Sequence, residues 1–286
     1  GVRFRPRVES FAALGLTPTP HATGLGTANT TAPTGATEVA GVYAAGNVAD
    51  PTHQLLQAAA HGSWVGGQIA VDLATEDLTA GRVRRQGEVE WDGRFAGDPT
   101  FSGNPNGTLV TEVAELEPGR ALDVGAGEGA DAVWLAEQGW EVTATDVSAR
   151  ALDHVRAAAD GVGATVRCHH VDAGDLDPYG SETFDLVSAQ YAVIARTPDG
   201  RAVRNLLDAV ASGGTLLVVH HDLGELGPGE GHPRPFDPDA GVCPADVAAA
   251  VRESPDFELL VDERRARPEG HATVDVPDLV VRARRR

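Results

Sequence analysis

The chain has 286 residues but no lysine, no methionine and only two cysteines. Cys168 and Cys243 lie far apart and form no C-x-x-C pair, so the chain encodes neither a redox dithiol nor a cysteine metal framework. Low cysteine usage suits a reducing compartment, and we therefore expect a cytoplasmic protein. No apolar run approaches the ~20 residues of a membrane-spanning helix, and no signal peptide is recognisable.

Acidic residues outnumber basic residues by 42 to 23, every basic residue is arginine, and the net charge is −19. Such a charge raises the cost of approaching a polyanion, so nucleic acids and anionic membranes are not expected as partners. Because the chain begins with Gly1 and contains no methionine, we expect further sequence upstream of it.

The most informative stretch is residues 121–146, ALDVGAGEGADAVWLAEQGWEVTATD. It predicts a buried strand, a glycine-rich turn, an amphipathic helix and a second strand that ends at Asp146. Glycine lets the backbone of such a turn approach a ligand, and the helix N-terminus favours negative charge. GAGEGA also satisfies the dinucleotide pattern G-x-G-x-x-(G/A), so the turn alone is compatible with a nicotinamide cofactor or with S-adenosylmethionine.

Three acidic residues favour S-adenosylmethionine. Asp123 precedes the turn, where a carboxylate would repel a pyrophosphate but can orient the turn and reach a ligand amino group through water. Asp146 closes the second strand, 21 residues after Gly125, which is the spacing at which an acid meets ribose hydroxyls. Asp172 follows the third predicted strand. Parallel strands would bring all three to one side of the sheet.

Strand and helix signals alternate over residues 119–223. A Pro/Gly-rich loop (224–240), a helix (244–254) and a final pair of strands (257–266 and 271–285) follow. Alternation of this kind predicts an α/β fold with a parallel sheet. We therefore predict a Rossmann-like sheet of seven strands whose last two are antiparallel.

Residues 91–286 resemble class I S-adenosylmethionine-dependent methyltransferases, with motifs at 121–129, 146, 172 and 184–191 in the same order. The resemblance implies cofactor contacts in three groups: Asp123, Gly125, Ala126 and Gly127 at the methionine part, Asp146 and Val147 at the ribose, and Asp172 and Ala173 at the adenine. Gln190 would lie at the transfer centre.

The W-D-x-x-F…G-N-P-N pattern of residues 91–106 resembles the N-terminal cap of thiopurine and tellurite methyltransferases. Its aromatic residues, Trp91, Phe95 and Phe101, either pack in the core or cover the cofactor. After them, Leu109 and Val113 belong to an apolar stripe that predicts an amphipathic helix.

We predict methyl transfer to a small-molecule acceptor, because no D/N-P-P-(Y/F) motif of nucleic-acid methylation follows the fourth strand. A sulfonium methyl is already activated, so a soft nucleophile needs no base, whereas a phenol or an amine can require one. The candidate bases are His220, His221 and Tyr191. The two histidines alternate across a strand, so at most one faces the pocket; hydrogen bonding in the pocket is the alternative role. Residues 168–170 also alternate, and no metal site is predicted.

Residues 34–51, TGATEVAGVYAAGNVADP, predict a short strand entering a glycine turn, and a helix is expected over residues 53–78. The segment resembles the C-terminal end of the FAD domain in thioredoxin-reductase-like flavoproteins, whose flavin-binding acid matches Asn47 here. No dinucleotide turn and no C-x-x-C precede it, so FAD binding by this segment alone is not expected. The alternative is a leftover domain edge that packs on its neighbour.

The sequence thus predicts three parts: residues 1–79 as the remnant of an FAD-dependent reductase-like domain, residues 80–90 as a linker, and residues 91–286 as a methyltransferase domain. Two other functions stay open. The first alternative is a flavin-dependent oxidoreductase whose upstream half is missing from this chain, either by itself or as a reductase fused to a methyltransferase. The second is a binding module that keeps the fold but has no catalytic turnover.

Overall fold

A computed structural model describes residues 13–222, 241–268 and 276–286, without the side chains of residues 76–86. The loop predicted at 224–240 and the beginning of the last predicted strand lie outside these residues. The chain divides into two compact units, Gly1–Val83 and Arg84–Arg286. The predicted division into residues 1–79, 80–90 and 91–286 stays a prediction about domain ancestry.

The first unit contains little regular structure before its helix. Strands β1 (Thr19–Pro20) and β2 (Thr27–Ala28) pair antiparallel, and helix α1 begins at Leu55 and ends at Arg94. The helix predicted over residues 53–78 is therefore present and extends further than expected.

The prediction of a short strand within residues 34–51, at EVAGVYAAG (38–46), is wrong. A single isolated bridge joins Ala36 to Tyr43, and the segment between them folds back on itself. The N–H of Thr37 donates to the Val42 carbonyl at 3.0 Å, and the N–H of Val42 donates to the Val39 carbonyl at 3.1 Å. These backbone groups are satisfied within a turn, and no strand among the described residues pairs with the segment.

Residues 80–90, predicted as a linker that continues into a helix, lie entirely within α1. Arginine, glutamine and glutamate are good helix formers, and a glycine costs only about 1 kcal/mol in a helix interior. Neither Gly81 nor Gly87 is therefore sufficient to end the helix, and no proline occurs in this stretch.

The second unit is built on one seven-stranded sheet with the order β5-β4-β3-β6-β7-β9-β8. Strands β3 to β7 are parallel to one another, and β9 runs antiparallel to both β7 and β8. This arrangement confirms the predicted α/β fold and its Rossmann-like sheet. The strands are β3 (Arg120–Val124), β4 (Glu141–Asp146), β5 (Val166–His170), β6 (Phe184–Gln190), β7 (Val210–His221), β8 (Phe257–Arg265) and β9 (Asp278–Arg285).

Helices cover both faces of the sheet. One face, called the α3 face, packs against α2 (Gly107–Val113), α3 (Ala130–Glu137) and α4 (Ala149–Val162). The other, called the α5 face, packs against α5 (Arg201–Asp208) and α6 (Pro244–Glu253). Strand residues alternate between the faces: in β7, Leu217 and Val219 belong to the core of the α3 face, whereas Leu216 and Val218 belong to that of the α5 face.

The carboxyl ends of β3 to β7 meet at one edge of the sheet, because these strands are parallel. Ligands of open α/β sheets bind outside this carboxyl edge. The residues that end or follow these strands are therefore the first candidates for a functional site. Among the described residues, no helix is long and apolar enough to cross a membrane.

Candidate active site

The predicted glycine turn joins β3 to α3. The N–H groups of Gly125 and Ala126 both donate to the Thr145 carbonyl, at 2.8 and 3.0 Å, which fastens the turn to β4. Gly125 and Gly127 have φ of 72° and 54°, in the left-handed region that favours glycine. A Cβ on Gly125 would lie 2.6 Å from the Cβ of Ala192, which follows β6. Only glycine therefore fits at position 125.

Asp146 holds the turn from the end of β4. Its Oδ2 accepts the N–H of Gly127 at 2.9 Å, and its Oδ1 accepts the N–H of Ser148 at 2.8 Å. Burial raises the pKa of this carboxyl, against the effect of those backbone donors. Each carboxylate oxygen can accept a second hydrogen bond, so Asp146 can fix the turn and also accept from a ligand.

Asp123 is 2% exposed, and its Oδ2 is buried without a hydrogen-bond partner in the described part of the chain. Burial raises its pKa well above the usual value, and the negative charges of Asp131 and Asp146 raise it further. A buried acceptor without a donor is costly. This oxygen therefore suits a cationic donor that arrives with a ligand.

Asp172 and Ala173 follow β5, as predicted. Oδ1 of Asp172 accepts the N–H of Gly174 at 2.8 Å, and the Ala173 carbonyl accepts Nδ2 of Asn205 at 2.8 Å. These bonds fix the loop beyond β5 in place. Val147, which follows β4, contacts the end of β5: its carbonyl oxygen lies 2.9 Å from Nε2 of His170.

Strand alternation places several predicted residues on the same face of the sheet. Side chains two or four positions apart in a strand point to the same face. Asp123 therefore shares a face with Ala121, and Gln190 shares a face with Leu186. Both of these apolar residues lie in the core of the α3 face. Asp146 and His221 follow the same pattern in β4 and β7. The structure therefore brings Asp123, Asp146, Gln190 and His221 to the α3 face, and it directs His220 to the α5 face.

Gln190 ends β6 and is 7% exposed. Its Nε2 donates to Oγ of Ser188 at 3.0 Å, whereas its Oε1 is buried with no hydrogen-bond partner among the described residues. Like Asp123, Gln190 therefore offers an acceptor at the carboxyl edge.

Tyr191 lies directly after β6 with φ of 55°, a left-handed conformation that is strained for an aromatic residue and recurs at functional sites. Its N–H donates to the Val219 carbonyl at 2.8 Å, and its hydroxyl donates to Oδ2 of Asp278 at 2.8 Å. Burial raises the pKa of Tyr191, and the bond to Asp278 raises it further. Tyr191 is therefore protonated at neutral pH and donates to Asp278.

His221 ends β7 and stacks on Tyr191, with ring centroids 4.2 Å apart and planes at 25°. Its Nδ1 lies 3.9 Å from Oδ1 of Asp278. Burial lowers the pKa of His221 to about 4, with smaller contributions from the positive charges of Arg267 and His220. His221 is therefore a neutral imidazole at neutral pH.

Residues 121–214 match the family model described as a methyltransferase domain. This stretch is therefore similar to a methyltransferase domain. The match supports the predicted enzyme class, S-adenosylmethionine-dependent methyltransferase, and S-adenosylmethionine as the cofactor.

Two curated relatives match part of the chain. Methyltransferase str2 of Strobilurus tenacellus is 30% identical over 142 residues, which cover 48% of either protein. The tRNA 5-carboxymethoxyuridine methyltransferase of Escherichia coli K12 is 32% identical over 115 residues, 38% of this chain and 44% of that protein. The chain thus spans less than half the length of the curated relatives it matches.

Solved structures share the fold. The [4+2]-cyclase SpnF gives a TM-score of 0.51 at 22% identity, covering 67% of this chain and 90% of that chain. A structure that concerns the conversion of a disulfide bond into a thioacetal group during echinomycin biosynthesis gives a TM-score of 0.51 at 25% identity, covering 65% and 84%. The PH0226 protein of Pyrococcus horikoshii OT3 gives a TM-score of 0.50 at 16% identity, covering 63% of this chain and 88% of that chain.

The aromatic stretch before the methyltransferase domain packs on its glycine turn. Phe95 is buried, and its ring reaches 3.8 Å from a Cβ placed on Gly127. Trp91 stacks on Phe95 with centroids 6.0 Å apart, whereas Phe101 is 55% exposed. Asp92 Oδ1 accepts Oγ of Ser148 at 2.6 Å. Phe95 therefore packs at the site, and Phe101 does not pack in the core.

Two acidic residues of the domain were missed in the sequence. Asp131 accepts the N–H and the Nδ2 of Asn106, at 2.7 and 2.6 Å. Glu128 accepts the N–H groups of Thr100 and Phe101, both at 2.7 Å. Both acids lie next to the glycine turn and hold the polar loop that precedes α2. The dense turn signal at residues 102–107 indicated this loop but not its partners.

In the first unit, Asn47 has a local role. Its Nδ2 donates to the His53 carbonyl at 2.7 Å. The residue that matches the flavin-binding acid of thioredoxin-reductase-like proteins thus ties its own turn to the residues just before α1.

Proposed function

We propose that this protein transfers the methyl group of S-adenosylmethionine to a small-molecule acceptor. The observation that carries the proposal is the methyltransferase-domain match over residues 121–214, in a chain whose glycine turn is bonded to the acid that ends β4. The activity of the whole protein is a proposal, because the curated relatives align over less than half of their length.

The residues at the carboxyl edge fit the cofactor. The methionine part carries an ammonium group, which suits the unpaired buried Oδ2 of Asp123, directly or through one water. The glycine turn lets the methionine part approach the backbone, and we assign the ribose to Asp146 and Val147 and the adenine to Asp172 and Ala173. The sulfonium supplies an activated methyl carbon, and the chain has to hold that carbon and the acceptor in line.

Asp146→Ala tests the cofactor site. We expect S-adenosylhomocysteine affinity, measured by calorimetry, to fall about 10- to 100-fold, which corresponds to the loss of one or two charge-assisted hydrogen bonds. Asp185→Ala is the matched control, because Asp185 also accepts a backbone N–H, that of Arg120 at 2.8 Å, but lies at the opposite edge of the sheet.

Far-UV circular dichroism checks that both variants fold. Unchanged affinity in Asp146→Ala, or an equal loss in Asp185→Ala, would contradict the placement of the ribose. Failure of the wild-type protein to bind S-adenosylhomocysteine at all would contradict the proposed function itself.

A curated relative is named for its action on tRNA, so the choice of a small acceptor needs a separate physical reason. A net charge of −19 opposes the approach of a polyanion, and this charge is our reason for preferring a small acceptor. A fold neighbour is named a cyclase, and fold alone does not determine the reaction.

The narrower assignment to the thiopurine and tellurite type rests on the pattern of residues 91–106. Its support is the contact of Asp92 with Ser148 and of Asn106 with Asp131, which gives two of the pattern residues a role in organising the site. Methylation of a thiopurine or of tellurite by the purified protein is the direct test.

The flavoprotein ancestry of residues 1–79 and the cytoplasmic location also stay predictions. A flavin absorption spectrum in the purified protein would support the flavin-dependent alternative. A colourless protein that binds S-adenosylhomocysteine is the expected outcome.

A further inference from the structure

A fully buried carboxylate joins three elements at the acceptor end of the site. Asp278 begins β9, opposite His221 of β7 in the antiparallel register, and has no exposed surface. Its Oδ2 accepts two hydroxyl donors, Thr108 and Tyr191, each at 2.8 Å. Oδ2 is thereby saturated, and Oδ1 is the oxygen that remains for other partners.

Two buried polar atoms face one another without a hydrogen bond. Oδ1 of Asp278 and Nδ1 of His221 lie 3.9 Å apart, and neither has a hydrogen-bond partner within the described residues. Arg267 places its Nε 3.5 Å from the same oxygen. Because unpaired buried groups are costly, approach of His221 by about 1 Å would satisfy both atoms at a normal hydrogen-bond distance.

We infer that His221, oriented by Asp278, is the general base that takes a proton from the methyl acceptor, so that the acceptor is a hydroxyl or amine that still carries its proton at neutral pH. The inference rests on the proposed function. Asp278 is a positioning residue in this arrangement, and His221 is the catalytic residue.

The location of His221 supports this role. It ends its strand at the carboxyl edge and lies on the α3 face with Asp146 and Gln190. Its neighbour Tyr191 is followed by Ala192, which touches the glycine turn at Gly125. His220 lies on the opposite face of the same strand. Of the two adjacent histidines, only His221 therefore faces the side on which the cofactor is expected.

The orientation of the imidazole follows from Asp278. A carboxylate facing Nδ1 favours the tautomer with hydrogen on Nδ1, which leaves the lone pair of Nε2 free to accept a proton. As the acceptor oxygen or nitrogen bonds to the methyl carbon, the carbon–sulfur bond breaks and its electron pair stays on sulfur. The acceptor proton passes to Nε2, and the imidazolium then loses it to solvent.

The surroundings keep His221 neutral until that step. Among the described residues, the charged or titratable groups that face His221 are Arg267, His220, Tyr191 and Asp278, and the uncharged Thr108 bonds to the carboxylate. Burial, Arg267 and His220 lower the pKa of His221, whereas Asp278 raises it. The buried carboxylate also stabilises the imidazolium that forms in the reaction.

Nitrogen-15 NMR of the histidine side chains tests the inference without an acceptor. The His221 signals are assigned by their loss in His221→Gln, with His220→Gln as the matched control. We expect hydrogen on Nδ1 and titration below the ordinary histidine range, with a pKa of about 4, and a still lower pKa in Asp278→Asn. Hydrogen on Nε2 would overturn the inference, because Nε2 could then not accept the proton.

Phenol and thiophenol provide a matched pair of acceptors at pH 8, since thiophenol is ionised there and phenol is not. With S-adenosylmethionine, His221→Gln should reduce kcat for phenol by about 10²- to 10⁴-fold, the usual contribution of a general base, and should leave KM and thiophenol methylation within a few-fold. His220→Gln should preserve both reactions.

Equal losses with the two acceptors, or wild-type activity on thiophenol alone, would contradict a general base. If neither compound is methylated, the NMR result decides. Calorimetry with S-adenosylhomocysteine separates the two proposals. Wild-type protein that does not bind this compound contradicts the proposed function, whereas the NMR experiment tests the tautomer of His221 whether or not the compound binds.

Discussion

At the residue scale, the acids at the strand ends could be predicted, but the partners of the catalytic candidates could not. Asp123, Asp146 and Asp172 stand directly after strand signals, and parallel topology brings such positions to one edge. Asp278 lies 87 residues beyond Tyr191, and only the antiparallel register of β9 brings it to His221. The sequence contains no local signal for that register.

Asp123→Asn should make the protein more stable and its cofactor site weaker. The folded pKa of Asp123 is raised by burial and by Asp131 and Asp146, so the native state holds more protons than the unfolded state above pH ~4. The free energy of unfolding therefore falls as pH rises from ~4 to the folded pKa of Asp123. Asparagine has no charge to bury, so Asp123→Asn avoids this fall in stability. Its unfolding free energy should exceed that of the wild type by more at pH 7.5 than at pH 5.5.

Urea denaturation at the two pH values measures the gain, and calorimetry with S-adenosylhomocysteine measures the expected loss of affinity. Asp160→Asn, at an exposed position of α4, is the control and should show neither effect. A destabilised Asp123→Asn at pH 7.5 would indicate that the charged form is favoured in the native protein.

At the element scale, hydrophobic periodicity was sufficient in the second unit and insufficient in the first. The alternating units from β3 to β7 have buried strands bounded by glycine and helices with clear apolar faces. Residues 38–46 have strand-like composition, yet their backbone groups bond to each other in a turn. Composition does not reveal whether a partner strand exists, and this explains the wrong prediction.

Glu128 should control the loop before α2. Its carboxylate accepts the N–H groups of Thr100 and Phe101, so Glu128→Ala should increase amide hydrogen exchange at these two positions about 10-fold, the equivalent of one net hydrogen bond. Glu137→Ala, at the exposed last residue of α3, should leave both amides unchanged. Unaltered exchange in Glu128→Ala would show that other contacts hold the loop.

At the scale of the whole molecule, some features could be predicted from the sequence and others could not. The seven strands and the final antiparallel pair were predictable, because alternating units followed by two strand signals have few possible topologies. The continuity of α1 across residues 80–90 was not, because polar composition suits both a linker and the exposed surface of a helix. Charge, in contrast, can be read without the fold, and it leads to a prediction about the acceptor.

Total tRNA should not be a methyl acceptor of this protein, even though a relative that aligns over 115 residues is named for tRNA methylation. All 23 basic residues are arginine and are outnumbered by 42 acids, so a polyanion meets net repulsion that grows as salt is removed. Incorporation of labelled methyl groups from S-adenosylmethionine into tRNA should stay at background from about 20 to 150 mM salt. A local arginine surface that binds tRNA would give the opposite dependence, because counterion release strengthens such binding at low salt. Methylation that increases as salt is lowered would therefore replace the small-molecule acceptor with tRNA.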